Sequence, residues 1–265
     1  MRRNSIFWGV VLILLGGLLF LQSAGFRLPG GSRPLDYFWA LLLILLGVWV
    51  ILNVFMTGGS VEEENLTLDL QGASKASLHV HHGAGVLRLG SGAPAGQFLN
   101  GTFGSGIVHR ERVSGESLDV DLRNPMVAVP FFGPWQSLDW DVRLNREIPT
   151  ALYLETGASK TQIDLRDMLV TFIDLDAGAS SIEVTMPSGA GQVEAKIDIG
   201  AASLEIRVPD EVAARIRVEQ GVSSVEIDPV RFPRSDRTYE SSDFASATNR
   251  IDMDIHAGAG KVSIH

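Results

Sequence analysis

Six histidines are the side chains of this 265-residue chain best suited to metal or acid–base chemistry. His79 and His81 alternate onto one face of a strand-like run, and with His82, His109, His256 or His265 they are the available ligands for a divalent metal. Asp119/Asp121 and Asp139/Asp141 stand two residues apart, the spacing that puts paired carboxylates on one strand face, where general acid–base work could use them. A solvated strand face takes the same residues for no catalytic reason, and nothing else completes a site. The chain has no nucleophile elbow, Walker loop, HExxH pair or EF-hand loop. Its lack of cysteine excludes a thiolate zinc site, a cysteine nucleophile and a disulfide framework. The expectation is a protein that is not an enzyme, with no catalytic residues, no metal and no cofactor.

The elements carrying these residues repeat. Ile173 to Met186 reads IDLDAGASSIEVTM, Ala195 to Val208 reads AKIDIGAASLEIRV, and Ile216 to Asp228 reads IRVEQGVSSVEID. Weaker copies run from Leu78 to Leu89, Leu152 to Leu165 and Met253 to His265. With Gly83, Gly157, Gly178, Gly200, Gly221 and Gly258 as position zero, apolar residues align at −5, −3, +4 and +6. Alternation with period two is strand chemistry, one face buried and one wet. Spacings of 21, 22 and 21 residues between Gly157, Gly178, Gly200 and Gly221 correspond to one solenoid coil each and favour a β-solenoid over an antiparallel sandwich. Pro187, Pro209 and Pro229 close successive coils, because Pro cannot extend a ladder. The last interval is 37 residues, and its polar stretch from Arg234 to Arg250 reads as a loop or excursion. Residues 90–150 fit the period poorly and read as longer strands capping the solenoid.

The outward positions of the repeat carry carboxylates. Position −2 holds Glu155, Asp176, Asp198 and Glu219, and position +5 holds Glu183, Glu205 and Glu226. Stacked at strand spacing they form acidic ladders whose like charges repel unless Lys196, Arg207, Arg215 and Arg217, or a cationic partner, offset them. This face is the candidate docking surface for a basic protein or divalent cations. A second candidate is the aromatic loop with Phe131, Phe132 and Trp135 between prolines, suited to a membrane surface or partner, or to plugging the solenoid end. Overall, 22 basic against 31 acidic residues give a net charge of −9, which excludes a nucleic-acid backbone as the main partner.

Residues 1–57 differ from the remainder, with four Arg and one Asp for a net +3, which leaves −12 on residues 58–265. Two long runs lack any charge, one between Arg3 and Arg27 and one between Asp36 and Glu62, each sufficient for a membrane span of about 20 residues. The spans lie near Ser5 to Gln22 and Phe38 to Phe55, and a shift of 31 residues superposes their Phe-Trp pairs and Leu-Ile-Leu-Leu-Gly segments. Gly16, Gly17 and Gly47 are placed for close helix packing. The arginine flanks slightly favour a cytoplasmic N-terminus, which returns the solenoid to the cytoplasm as well. The expected organisation is a two-span hairpin over 1–57, a linker over 58–65, an N-terminal solenoid or cap part over 66–150 and repeated coils over 151–265.

The paired Phe-Trp…Leu-Ile-Leu-Leu-Gly spans resemble the LiaI-LiaF-type transmembrane region, and the Gly-Ala-Ser turns between alternating strands resemble the toast-rack, adhesin-type solenoid of LiaF-like bacterial membrane proteins. The resemblance implies a mainly β fold, a single-stranded β-solenoid preceded by a two-helix transmembrane hairpin. It also implies a non-enzymatic module in cell-envelope stress signalling, held in the lipid bilayer beside a membrane protein such as a sensor kinase. An extracytoplasmic adhesin-like or polymerising scaffold is the alternative, with a homo-oligomer left open, and a metal enzyme using surface His residues stands third.

Overall fold

A computed structural model describes residues 63–125 and 138–265, together with helical positions 11, 15, 16, 20, 38, 39 and 41–43. The two expected membrane spans lie outside the described residues apart from those few positions, as do Gly17, Gly47, Phe131, Phe132 and Trp135. Among the described residues no helix is long and apolar enough to cross a membrane. At Gly16 no described atom stands within 4 Å of where a Cβ would sit.

Fourteen strands follow in chain order: β1 (Glu63–Asp69), β2 (Lys75–Ser91), β3 (Gln97–Gly104), β4 (Val108–Ser114), β5 (Ser117–Arg123), β6 (Trp140–Leu144), β7 (Thr150–Asp164), β8 (Val170–Ala177), β9 (Ser181–Thr185), β10 (Gln192–Arg207), β11 (Ala213–Ile227), β12 (Arg234–Ser235), β13 (Thr238–Glu240) and β14 (Arg250–Ile264). The chain is mainly β and forms a β-solenoid. β1 begins at Glu63, inside the stretch read as linker.

Each coil is one strand carried through its glycine rather than two short strands flanking a turn. β2, β7, β10, β11 and β14 run unbroken across Gly83, Gly157, Gly200, Gly221 and Gly258, whereas the coil of β8 and β9 and the outermost coil of β5 and β6 are each divided into two strands. Before the glycine, positions −5, −3 and −1 point inward; after it, +2, +4 and +6 do, so the inward parity slips by one residue at the corner. Leu152, Leu154, Thr156, Ser159, Thr161 and Ile163 show this in β7, and all six are buried. The two arms bury one continuous core, from Leu78 and Leu152 at one end to Ile206 and Ile264 at the other.

Stacking order departs from chain order at both ends. Parallel pairing runs from β5 and β6 to β2, then β7, then β8 and β9, then β10, β14 and finally β11. β14, the last strand made, therefore sits between β10 and β11. The outermost coil at the other end combines β5 and β6, which follow β2 in sequence but lie outside it. Antiparallel strands finish the ends: β4 on β5, β3 and then β1 on β6, and β13 and then β12 on the first arm of β11. The polar excursion from Arg234 to Arg250 thus contributes two short strands.

Candidate functional site

The glycine corners set the geometry of the outer face. A Cβ on Gly258 would stand 2.7 Å from the carbonyl oxygen of Gly200, one on Gly221 would stand 2.7 Å from that of Gly258, and one on Gly157 would press closer still on that of Gly83. The six corner glycines do not need left-handed backbone, since none is among the positive-φ residues. At Gly157, Gly221 and Gly258 glycine is required because the corner packs directly on its neighbour and leaves no room for a methyl group, whereas Gly200 is tight at 3.2 Å and Gly178 and Gly83 leave 3.4 and 3.9 Å.

Position −2, beside that corner, forms one register row across the stack: Arg123, His81, Glu155, Asp176, Asp198, His256 and Glu219. Neighbours lie roughly 4.8 Å apart along the stack. Glu155, Asp176 and Asp198 are consecutive, as the sequence suggests, but His256 separates Asp198 from Glu219. His81 Nδ1 is 2.6 Å from Glu155 Oε2, and His256 Nδ1 is 3.4 Å from Glu219 Oε2. No ion pair reaches Asp176 or Asp198 among the described residues. Partial burial pushes the Asp176 carboxyl above the usual carboxylate range, and the charges of Asp174, Asp198 and Glu155 push it further. The row lines an open groove of about 790 Å³ whose floor is the corner backbone at Gly178, Gly200 and Gly258. It continues into a recess of about 420 Å³ beside Arg123, Asn124 and His81.

The +5 positions behave differently. Glu183 and Glu205 are adjacent, and Ser263 lies between Glu205 and Glu226. Arg207 reaches both of the first two, at 3.0 Å from Glu183 and 2.9 Å from Glu205, and Lys261 pairs with Glu226 at 2.8 Å. Each carboxylate of this second row thus has a cation of the same chain within reach, which distinguishes it from the row at position −2. Of the four cations expected to offset the ladders, only Arg207 does so. Lys196 lies 3.4 Å from Glu194, Arg215 pairs with Glu240, and Arg217 is bidentate on Asp254 at 2.5 and 2.9 Å.

The histidines disperse. His79 stacks on Tyr153 with ring centroids 4.4 Å apart and lies 3.8 Å from Asp119, His109 is exposed on β4, and His265 lies 3.7 Å from Glu205. His82 turns inward and is 1% exposed. Its Nε2 donates to the Leu138 carbonyl at 2.9 Å, which leaves Nδ1 as a buried lone pair without a partner, and burial lowers its pKa. Among the described residues no three His, Asp or Glu side chains converge closely enough to hold a metal ion. Asp121 and Asp141 do not form pairs with Asp119 and Asp139. Each is instead gripped by the arginine two residues on, Arg123 at 2.7 and 2.6 Å and Arg143 at 2.7 and 3.0 Å. Asp164 and Arg166 repeat the arrangement at 3.0 and 2.6 Å. These Asp-x-Arg clamps were legible as residues two apart on one strand face, and the arginine holds Asp121 and Asp164 below the usual carboxylate range.

A parallel single-chain solenoid with glycine corners stacked on one another and a carboxylate row whose middle members, Asp176 and Asp198, have no ion pair among the described residues is the class that fold and site define. Within that class the chain belongs to the family described as the N-terminal domain of toast_rack, DUF2154, whose profile matches residues 57–207, more than half of its length. A candidate cell adhesion protein from Clostridium sporogenes ATCC 15579 has a similar structure, with a TM-score of 0.71 at 20% identity over 77% of this chain and 98% of that one. That likeness shows the fold. A candidate adhesin from Bacteroides fragilis NCTC 9343 aligns over 78% of this chain and 98% of its own at 12% identity, with a TM-score of 0.22. No curated protein matches the chain. The toast-rack part of the sequence resemblance is thereby met, whereas its LiaF-type membrane region falls on residues outside those described.

Proposed function

We propose that this protein is a non-enzymatic interaction module that presents the groove over Glu155, Asp176 and Asp198 to a basic surface of a membrane protein. The observation that supports the reading is the contrast between the two acidic rows. Arg207 and Lys261 reach the carboxylates of the +5 row, while among the described residues Asp176 and Asp198 have no cation and Asp176 is disfavoured as a carboxylate. A folded chain that tolerates an unmatched row beside a matched one has room for a partner's charge at the unmatched one. The uncharged runs in residues 1–57 support anchoring by two spans, with the solenoid on the cytoplasmic side, and a regulatory role in envelope stress signalling rests on the resemblance of those runs.

The test is proximity labelling in the native host with the full chain and with Asp176→Asn/Asp198→Asn. A drop of about tenfold or more in one membrane partner's labelling, matched by salt sensitivity of the isolated complex, is expected. Unchanged labelling sinks the reading. An adhesin-like role is the second reading, favoured by the shared fold with the Clostridium sporogenes protein. Protease cleavage of the solenoid on intact cells would select it over a cytoplasmic module.

A further inference from the structure

Among the described residues, the end of the solenoid formed by β11 is covered on one arm only. Residues Arg215–Arg217 of its first arm pair with β13, but residues 222–227 of its second arm pair with β14 alone. The core shows the consequence. At the +4 and +6 positions Leu204, Ile206, Val262 and Ile264 are fully buried, whereas their counterparts Val225 and Ile227 are only partly covered. Beside them Val222 is 89% exposed and Val230, just beyond the strand, 91%.

A free strand edge is a template for another strand, and proteins commonly blunt such edges with charge or by keeping them short. Three other edges in the described residues are blunted in this way. β4 carries His109, Arg110, Glu111 and Arg112, β1 carries Glu63, Glu64 and Asp69, and β12 has two residues. The 222–227 edge, VSSVEI, has one charge, Glu226, and Lys261 of the same chain neutralises it at 2.8 Å.

We propose that residues 222–227 are the contact through which two copies of this chain pair, antiparallel and about a two-fold axis. The segment is complementary to itself. Centred on Ser224, the pairing sets Val222 against Glu226 and Ser223 against Val225, so inward positions meet inward positions and no like charges face each other. Addition of β1 from a second copy would instead bring Glu63, Glu64 and Asp69 toward Glu226 and Asp228. The strip is only roughly 20 Å long, so the dimer is a weak one that forms in the micromolar range or above.

The chain has no cysteine, so Ser224→Cys introduces a single exposed thiol at the axis. In the full chain, kept in detergent at about 5 to 200 µM, oxidation is expected to give a disulfide-linked dimer, while Ser114→Cys on the β4 edge gives at least tenfold less. In the unlabelled protein, sedimentation should show a dimer fraction rising with concentration, and Val222→Lys/Ser224→Lys should weaken association tenfold or more without lowering the melting temperature. A protein that stays monomeric throughout overturns the proposal. So does a dimer indifferent to the two lysines, which is held elsewhere in the chain, or stronger crosslinking of Ser224→Cys to Asn65→Cys than to itself, which indicates head-to-tail addition.

Discussion

Glu219 lies beside His256 and not beside Asp198, although Asp198 is its nearest predecessor in the repeat. The same insertion of β14 puts Asp254 between Lys196 and Arg217. Stacked in chain order, β10 and β11 would set Lys196 against Arg217 and Asp198 against Glu219, two like-charge pairs on one face. With β14 between them the rows read Lys–Asp–Arg and Asp–His–Glu. Glu194 beside Asp252 is the one pairing this order makes worse, and Arg215 and Arg217 both reach Asp252 from the other side, at 3.6 and 2.9 Å.

This order is testable by crosslinking in a chain free of cysteine. Asp198→Cys/His256→Cys and His256→Cys/Glu219→Cys should oxidise within the chain, because neighbouring Cβ atoms fall within roughly 5.5 Å. Asp198→Cys/Glu219→Cys, two strands apart at roughly 10 Å, should stay reduced. The reverse result would mean that the coils stack in chain order.

The corner glycines should differ in their tolerance of alanine. Gly157→Ala and Gly258→Ala press a methyl group onto a carbonyl, and each is expected to cost about 1–3 kcal/mol, a fall of roughly 3–10 °C in melting temperature. At Gly178 the same atom would stand 3.4 Å from Gly157's oxygen, and its cost should stay below about 1 kcal/mol. Thermal melts of the three variants decide it; equal losses would refute the packing explanation.

Arg217 grips Asp254 and holds its carboxyl below the usual carboxylate range. A carboxyl held low stabilises the fold above its unfolded pKa, 3.8, and that contribution vanishes as pH falls through the depressed folded value. Both side chains are about 40% exposed, so screening keeps Arg217→Met to a loss of about 0.5–1 kcal/mol at pH 7. Urea titrations of both proteins should converge as pH drops below 3.8 and through the depressed folded value. A gap that persists unchanged in acid would assign the loss to packing of the arginine stem.

His82 titrates with the same sense but from a different cause. Burial keeps its imidazole neutral in the fold, whereas the unfolded chain takes up a proton below about 6.5. Stability is therefore lost as pH falls from about 6.5 toward the lowered folded value. His82→Phe removes that loss, so the wild type's stability measured against the variant's should decline from pH 7.5 to pH 5, by no more than the roughly 2 kcal/mol that an imidazole neutral throughout this range would give. A difference independent of pH would show that His82 titrates alike in both states.

Much of the solenoid was legible because its signals are local. The parity of Ile173/Leu175 and Ile182/Val184 about Gly178 fixes which residues face inward, and Pro187, Pro209 and Pro229 fix where coils end. The same parity, carried one step to position −1, would have turned His82 inward and removed it from any surface metal set. Layer order was not legible from spacing, since periodicity says how long a coil is and not which coil it touches. The signal that bears on it is charge: comparing Lys196, Arg217 and Asp254 at position −4 separates the two orders. The Asp-x-Arg clamps were missed because carboxylates two apart were compared with each other and not with the arginine that follows.

The position of β14 also has a consequence in time. β11 is synthesised before β14, so the chain up to residue 249 holds β10 against β8 and β9, and β11 against β13, while the edge of each that β14 covers is still open. Until Arg250–Ile264 is made, the strand most available to β11 is β10, in an arrangement the folded protein does not contain. A chain cut short before Arg250 therefore loses the contacts of two strands rather than one.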